Sequence, residues 1–336
     1  MRRSSIRRIF IFLGVAFLLG AMFAAGNFLE SFLDDGPDPS ATASSSTDAP
    51  PPVNPAIRIN YKGKDYIYNS NKSVLLIMGI DDAEVTTYSD MINPSQSDFL
   101  MVALFNHSDK SYDLIQINRD SMTDIIAYDS FGKYMGLQRH QIALSHTYRP
   151  DPKDACEDTL YAVSRFLYKV RIDDYFAVTM DAIPLMNDAV GGVKVKIEDD
   201  FTGVDDSLVL GSEVLLKGEH AVNFIRARMS MKDDPTNENR MKRQKAYMTS
   251  LLTDAGAKCA ADSSFAVDLY DKLSQYMVTD CTSDALNRYL TDFSGYKLNK
   301  IYVPTGTPVS GDKYMEFNVN EEELRDMVVE LFYDPA

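Results

Sequence analysis

Runs of apolar residues along this chain switch between periods, and the switches mark its elements. Residues 74–80 are apolar almost throughout and lead into Asp81 and Asp82, the pattern of a buried strand that ends in carboxylates. Residues 99–105, preceded by Asp98, predict a second strand, and residues 112–117, leading to Arg119 and Asp120, predict a third. The short polar connection 106–110 makes the second and third a hairpin. With Asn106 opposite Ser111, the antiparallel register sets Asp98 opposite Arg119. A first strand parallel to the third brings Asp81 to that same edge.

Helical and strand patterns then alternate. Residues 155–170 place Leu160, Val163, Phe166 and Leu167 on one side, with Asp154 as the expected cap. Residues 175–180 predict a strand, with Asp173 and Asp174 ahead of it as caps and turns. Residues 182–190 predict a helix stopped by Gly191 and Gly192, and residues 193–197 a half-exposed strand. A short helix at 218–224 precedes an extended stretch carrying Arg226 and Arg228. A long helix starting at 237–238 and reaching about 252 sets Arg240 and Gln244 on one face, with Met241, Tyr247, Met248 and Leu251 on its core side. Further on, 265–277 and 285–293 predict helices, 300–303 a strand, 304–312 a loop and 321–332 a closing amphipathic helix. Strands and helices alternating in this way indicate an α/β fold in layers.

The first 56 residues lie outside that pattern. Four arginines in the first eight positions precede twenty uncharged residues, 9–28, a length that fits the ~20 residues needed to span a bilayer. Read as an anchor helix, this segment leaves residues 1–8 in the cytoplasm and the body outside, a single-pass protein of the cell membrane. A cleaved signal peptide ending near Ala21, Ala24 and Ala25 is the other reading. Residues 29–56, rich in Pro, Ser and Asp from Asp34 onward, predict an extended stalk, and residues 57–336 one extracellular domain.

Charge narrows the partners. The chain carries 34 basic and 49 acidic residues, and with Arg2, Arg3, Arg7 and Arg8 set aside the remainder is about −19. A body so acidic repels a phosphate backbone, which argues against nucleic acid as a partner. Cys156, Cys259 and Cys281 are too widely spaced for a zinc site; a Cys259–Cys281 bridge and three buried thiols both remain open. The four histidines have no partner pattern for a nucleophilic triad.

Against this acidic background, Arg226, Arg228, Arg240 and Arg243 fall within eighteen residues. Forked donors that stay charged suit phosphate oxygens gripped two at a time. Two or three carboxylates beside Arg119 at strand ends would hold Mg²⁺ by oxygen ligands while the arginines hold phosphate. The plainer reading of Asp98 and Arg119 is a strand-end salt bridge.

The ordered pieces VLLIMGIDD, SDFLMVAL, LIQINRDS, IDDYFAVTMDAIPLMNDAVGGVKV, GEHAVNFIRAR and NRMKRQ resemble the extracellular catalytic domain of the LytR-CpsA-Psr proteins over about residues 70–255. The resemblance implies a three-layer α/β/α sandwich with a mixed central β-sheet. It also implies an enzyme, with Mg²⁺ as cofactor, that moves a glycopolymer from an undecaprenyl-pyrophosphate carrier onto peptidoglycan through a phosphodiester. Carried over, Asp81 and Asp98 take the metal and the catalytic chemistry, with Asp81 as the base. Arg119, Arg226, Arg228, Arg240 and Gln244 take the pyrophosphate, Arg119 also counting as catalytic.

The chain departs from the family pattern at four positions. Ala83 and Gln96 stand where the family has arginines, Ala143 where it has a lysine that Arg139 would have to replace, and Asn237 where it has an aspartate. A charged donor is worth about 3 kcal/mol to such a transition state, so weakened turnover is an expected consequence. The alternatives are a polyprenyl-phosphate or wall-polymer binder without turnover, and a structural domain whose arginines pair internally. A lipid tail would need an apolar cavity, for which Leu160, Val163 and Leu167 are candidate linings beside their ordinary role in core packing.

Overall fold

The computed structural model describes residues 50–51, 53–88, 93–227, 238–262, 265–282, 284–285, 288–289, 296–311 and 314–336. The strands and helices begin with β1 (Arg58–Tyr61), β2 (Lys64–Tyr68), β3 (Lys72–Ile80), β4 (Ser97–Asn106), β5 (Ser111–Ile117), β6 (Met122–Tyr128), β7 (Tyr134–Gln141), α1 (Pro152–Phe166), β8 (Asp174–Thr179) and α2 (Ala182–Ala189). They continue with β9 (Val193–Lys196), β10 (Glu213–Leu216), α3 (Glu219–Arg226), α4 (Glu238–Ala261), α5 (Phe265–Leu273), β11 (Met277–Thr279), β12 (Lys297–Tyr302), β13 (Gly306–Ser310), β14 (Met315–Val319), α6 (Glu321–Phe332) and β15 (Tyr333–Pro335).

The apolar runs form a six-stranded mixed sheet in the order β11-β8-β3-β4-β5-β12. Because successive side chains leave a strand on opposite faces, a run apolar at every position is one buried on both sides. Val74, Leu76 and Met78 of β3 pack with Val163 and Phe166 of α1 and Leu324 and Val328 of α6. Leu75 faces the other way, with Met101, Phe105, Leu114 and Phe176. A further core joins α2, α3, α4 and α5 with β9 and β10, including Met186, Val195, Phe224, Tyr247, Leu251 and Leu273. The result is the expected α/β/α sandwich.

The hairpin register is the expected one. Asn106 opposes Ser111, and the ladder continues to Leu100 opposite Ile117. β3 also runs antiparallel to β4, so β3 and β5 point the same way and end at one edge. Gly191 and Gly192, both at positive φ, end α2 and turn the chain into β9; a Cβ at Gly192 would lie 2.7 Å from the Leu216 carbonyl oxygen.

Several expectations are corrected. Asp151, not Asp154, caps α1, accepting from the Lys153 and Asp154 amides, because Asp154 is drawn to Arg149. Arg226 closes α3 and does not lie in an extended stretch after it. Residues 306–310, read as loop, form β13 against β14, a pairing too short to show a period. The helix expected over 265–277 ends at Leu273 and gives way to a 3₁₀ turn and β11. Cys281 is a free thiol, while the Cys259 side chain lies outside the description. The anchor expected at 9–28 and most of the helix expected at 285–293 also lie outside it; among the described residues no helix is long and apolar enough to cross a membrane. Pro51, in the segment expected to be a stalk, touches the body, since the Tyr161 hydroxyl donates to its carbonyl at 3.0 Å.

One buried acid makes the fold sensitive to pH. Asp158 of α1 is 6% exposed, accepts from the Tyr128 hydroxyl at 3.2 Å, and has a second carboxylate oxygen with no partner. Burial pushes its pKa up to about 7 from an ordinary 3.8. The folded chain therefore holds a proton there that the unfolded chain releases between about pH 4 and pH 7, so its contribution to stability falls as pH rises through that window. Asp158→Asn is expected to change little at pH 4 and to gain on the order of 3 kcal/mol at pH 8. Parallel denaturation curves across pH for the two proteins would refute this.

Candidate active site

The edge where β3 and β5 end gathers the acids and arginines. Between Gly79 and Ile80 the β3–β4 register shifts, leaving Asp98 as the extra residue of a bulge. A Cβ at Gly79 would fall 2.9 Å from the Phe99 Cβ, so only glycine lets β4 come this close. The bulge turns Asp98 toward α4, where Arg240 donates to its Oδ2 at 3.0 Å while Arg119 binds Oδ1. Arg119 also donates to Gln96 and lies 3.4 Å from Asp120. This cluster is largely dry, with side-chain exposures of 11% for Asp98, 13% for Arg119 and 5% for Arg240.

Asp81 lies one residue beyond β3, its amide donating to the Gln96 carbonyl at 2.8 Å. One of its oxygens accepts from Arg226 of α3 at 2.6 Å. This pair is far wetter, at 37% and 49% side-chain exposure. Arg243, three residues after Arg240, does not share the site. It is buried against the end of α3, donating to the Phe224 carbonyl at 2.9 Å and to the Ala227 carbonyl, and pairs with Asp199 at 2.5 Å. Its guanidinium also lies over the Phe201 ring. It acts as a latch on the helix that presents Arg226.

Behind this rim an apolar cavity of about 110 Å³ runs between the sheet and the helices. Leu75, Ile77 and Gly79 of β3, with Phe176, Val178 and Met180 from β8 and its end, form the floor. Ile183 and Met186 of α2, Tyr247, Met248 and Leu251 of α4, and Leu273 of α5 close over it, and Asp98, Arg226, Arg240 and Gln244 are its polar members. Leu160, Val163 and Leu167 do not line it; they pack in or against the core on the opposite face of the sheet.

Asp81, Asp98, Arg119, Arg226, Arg240 and Gln244 thus come together as expected, while Arg228 and Asn237 lie outside the described residues. Of the departures, Ala83 is exposed, Gln96 serves Arg119 as an acceptor, and Ala143 is buried, its amide donating to the Arg119 carbonyl at 3.1 Å. Arg139 is exposed on β7 opposite Asp124, with nothing among its described contacts that brings it to the rim. Asp82 is structural: it accepts from Ser95 at 3.0 Å, from Tyr88, and from the Ala83 amide. Beside it His146, its pKa pushed down to about 4 by burial, stays neutral and binds the Ser95 carbonyl. Sequence reasoning missed the linings Met180, Ile183, Met186, Leu273 and Met277. The signal was the recurrence of methionine, a flexible filler of irregular apolar space, in the segments that build the cavity walls.

Fold and site together define an α/β/α protein with an apolar cavity whose rim is made of arginines and carboxylates, a shape suited to an amphipathic phosphate. The LytR_cpsA_psr family model matches residues 40–332, and the chain belongs to that family. Curated relatives include the polyisoprenyl-teichoic acid–peptidoglycan teichoic acid transferase TagU of Bacillus subtilis (strain 168), 25% identical over 261 residues and covering 76% of each chain. That of Enterococcus faecalis (strain ATCC 700802 / V583) is 24% identical over 272 residues, covering 80% of this chain and 82% of the relative. Among solved structures, protein gbs0355 of Streptococcus agalactiae superposes with a TM-score of 0.61 at 16% identity, over 78% of this chain and 88% of that one. TagT bound to LI-WTA superposes with a TM-score of 0.56 at 18% identity, over 78% and 90%. These structures share the fold.

Proposed function

We propose that this chain is a membrane-anchored phosphotransferase that moves a glycopolymer from an undecaprenyl-pyrophosphate carrier onto peptidoglycan, leaving a phosphodiester. The observation that carries the reading is the cavity, apolar along its length and polar where Asp98, Arg226, Arg240 and Gln244 meet it. One ligand with a hydrocarbon tail and a pyrophosphate head would satisfy both parts. Family membership, and relatives named as teichoic acid transferases, support glycopolymer transfer to peptidoglycan.

Charge counting favours a metal. Among the described residues of the rim, Asp81, Asp98 and Asp120 balance Arg119, Arg226 and Arg240. A pyrophosphate entering a neutral rim needs added positive charge, and Arg228 with a divalent cation would supply it. Asp81 and Asp98 are the hard oxygen donors that would hold Mg²⁺, whose chemistry there is to neutralise charge on the phosphates.

In the reaction Arg119 and Arg240 would turn from Asp98 to phosphate oxygens, Arg226 would grip the leaving phosphate, and the Gln244 amide would orient the head. Asp81, partly exposed and with one oxygen on Arg226, would take the proton of the attacking hydroxyl as the hydroxyl oxygen bonds to phosphorus. The bond to the bridging oxygen breaks, and the polyprenyl phosphate departs with its electron pair.

The test is transfer of a labelled glycan by the full-length chain, with and without Mg²⁺. Arg226→Ala removes an exposed pair, so stability should shift by less than about 1 kcal/mol while turnover falls roughly 100-fold. Carrier lipid that is bound tightly but never released, in wild type and with Mg²⁺ present, would make the site a binding pocket instead.

A further inference from the structure

A second cleft lies at the opposite end of the sheet's strands. The Asp173 amide donates to the Val74 carbonyl at 2.8 Å and Asp174 pairs with Leu75, so the α1–β8 connection lies where β3 begins, whereas Asp81 lies where it ends. The nine residues of β3 separate the two edges by about 30 Å. There, between the end of α1 and α6, is a cleft of about 320 Å³ bordered by Ala56, where the stalk joins the body.

Three cations, Arg165, Lys169 and Arg325, face this cleft, and no carboxylate is among its described lining residues. In a chain of net charge −15 that is a marked local excess. Arg325 lies over the rings of Tyr61 and Tyr168 at 5.5 and 5.3 Å and, like Lys169, makes no ion pair among the described residues. Arg165 holds Asp124 at 3.0 Å through one terminal nitrogen, yet its Nε is buried with no hydrogen-bond partner. Glu321 is outside the lining, bound by the Tyr168 hydroxyl at 2.6 Å. Arg165 and Lys169 would also offset the dipole at the end of α1, but Arg325, in the second turn of α6, has no such role. Tyr168 borders the cations, while Tyr333 closes the cleft from the core side, packed against Tyr68.

We propose that this cleft binds the phosphodiester-linked backbone of an anionic glycopolymer, with the cations on its phosphate oxygens. The choice of polymer rests on the function proposed above, but the binding does not require turnover. A cleft at the edge opposite the lipid-binding rim would hold polymer clear of the carrier.

The experiment uses the full-length chain in neutral phosphatidylcholine nanodiscs, titrated with a fluorescent glycerol-phosphate oligomer. Lys169→Asn removes a charge at a residue with φ 67°, a conformation asparagine tolerates, and Arg325→Gln removes the second. Together they should weaken binding roughly tenfold, while Arg226→Ala keeps the cleft-bound component, and added salt should weaken it in wild type. If circular dichroism shows the double variant unfolded, Lys169→Asn alone decides, with a loss of about threefold expected. Loss of all binding in Arg226→Ala with none in the cleft variants would overturn the proposal. So would displacement by inorganic phosphate or by soluble dihexanoyl phosphatidylglycerol at concentrations where unlabelled oligomer does not compete. The glycan-transfer assay is separate, so failure of that reading leaves this binding result interpretable.

Discussion

Asp98→Ala is expected to abolish glycan transfer and to cost about 3–5 kcal/mol of stability, because it strips the shared counter-charge from two nearly buried guanidiniums. Arg119 and Arg240, at 13% and 5% exposure, would be left repelling each other across an empty position. The same repulsion should turn the rim into a better anion trap. Sulfate or inorganic pyrophosphate should therefore raise the melting temperature of Asp98→Ala by more than that of the wild type. Thermal denaturation with and without these anions, together with turnover per folded molecule, checks both halves. A variant as stable as wild type and indifferent to anions would show that Asp98 does not bridge the two arginines.

Arg243→Met should be similarly costly, by about 3–5 kcal/mol, even though the residue touches no proposed substrate atom. Methionine keeps the apolar stem but leaves Asp199 unpaired and exposes the Phe224 and Ala227 carbonyls that Arg243 holds. Lysine should rescue little, since one ammonium cannot serve two carbonyls and a carboxylate with the geometry of a fork. Because the latch holds the end of α3, the apparent KM for carrier lipid should rise through misplacement of Arg226. Arg226→Ala, by contrast, should lose turnover with almost no change in stability, its pair with Asp81 being exposed. Equal losses of stability in Arg243→Met and Arg226→Ala would refute the division of labour between latch and ligand.

The two arginines show how far a sequence can be read. Arg240 and Arg243 belong to one charged cluster, and spacing marks them alike, although the family resemblance assigned only Arg240 to the pyrophosphate. Packing separates them: α4 settles on the sheet with Arg240 toward Asp98 and Arg243 toward the end of α3. Asp98 and Arg119 were legible because a short polar connection sets the register of β4 against β5, and register at one end dictates the partners at the other. Asp81 joined them only on the condition that β3 runs parallel to β5, a direction the sheet pairing supplies. The loop read at 304–312 hides β13, whose pairing with β14 depends on residues that locally carry no strand pattern.

The sequence by itself determined β3, β4, β5, β8, β9 and the end of β12, the first hairpin, and the acids and arginines at the sheet's edge, because period-two and period-3.6 patterns and hairpin register are local properties of the chain. Tertiary structure alone decided the bulge that aims Asp98, the contacts that hold Arg243 against the end of α3, and the faces that enclose the cavity. An apolar side chain reads the same in sequence whether it fills a core, as Val163 does, or borders a cavity, as Leu251 does. The difference arises from how closely the facing layers pack, which no single segment encodes.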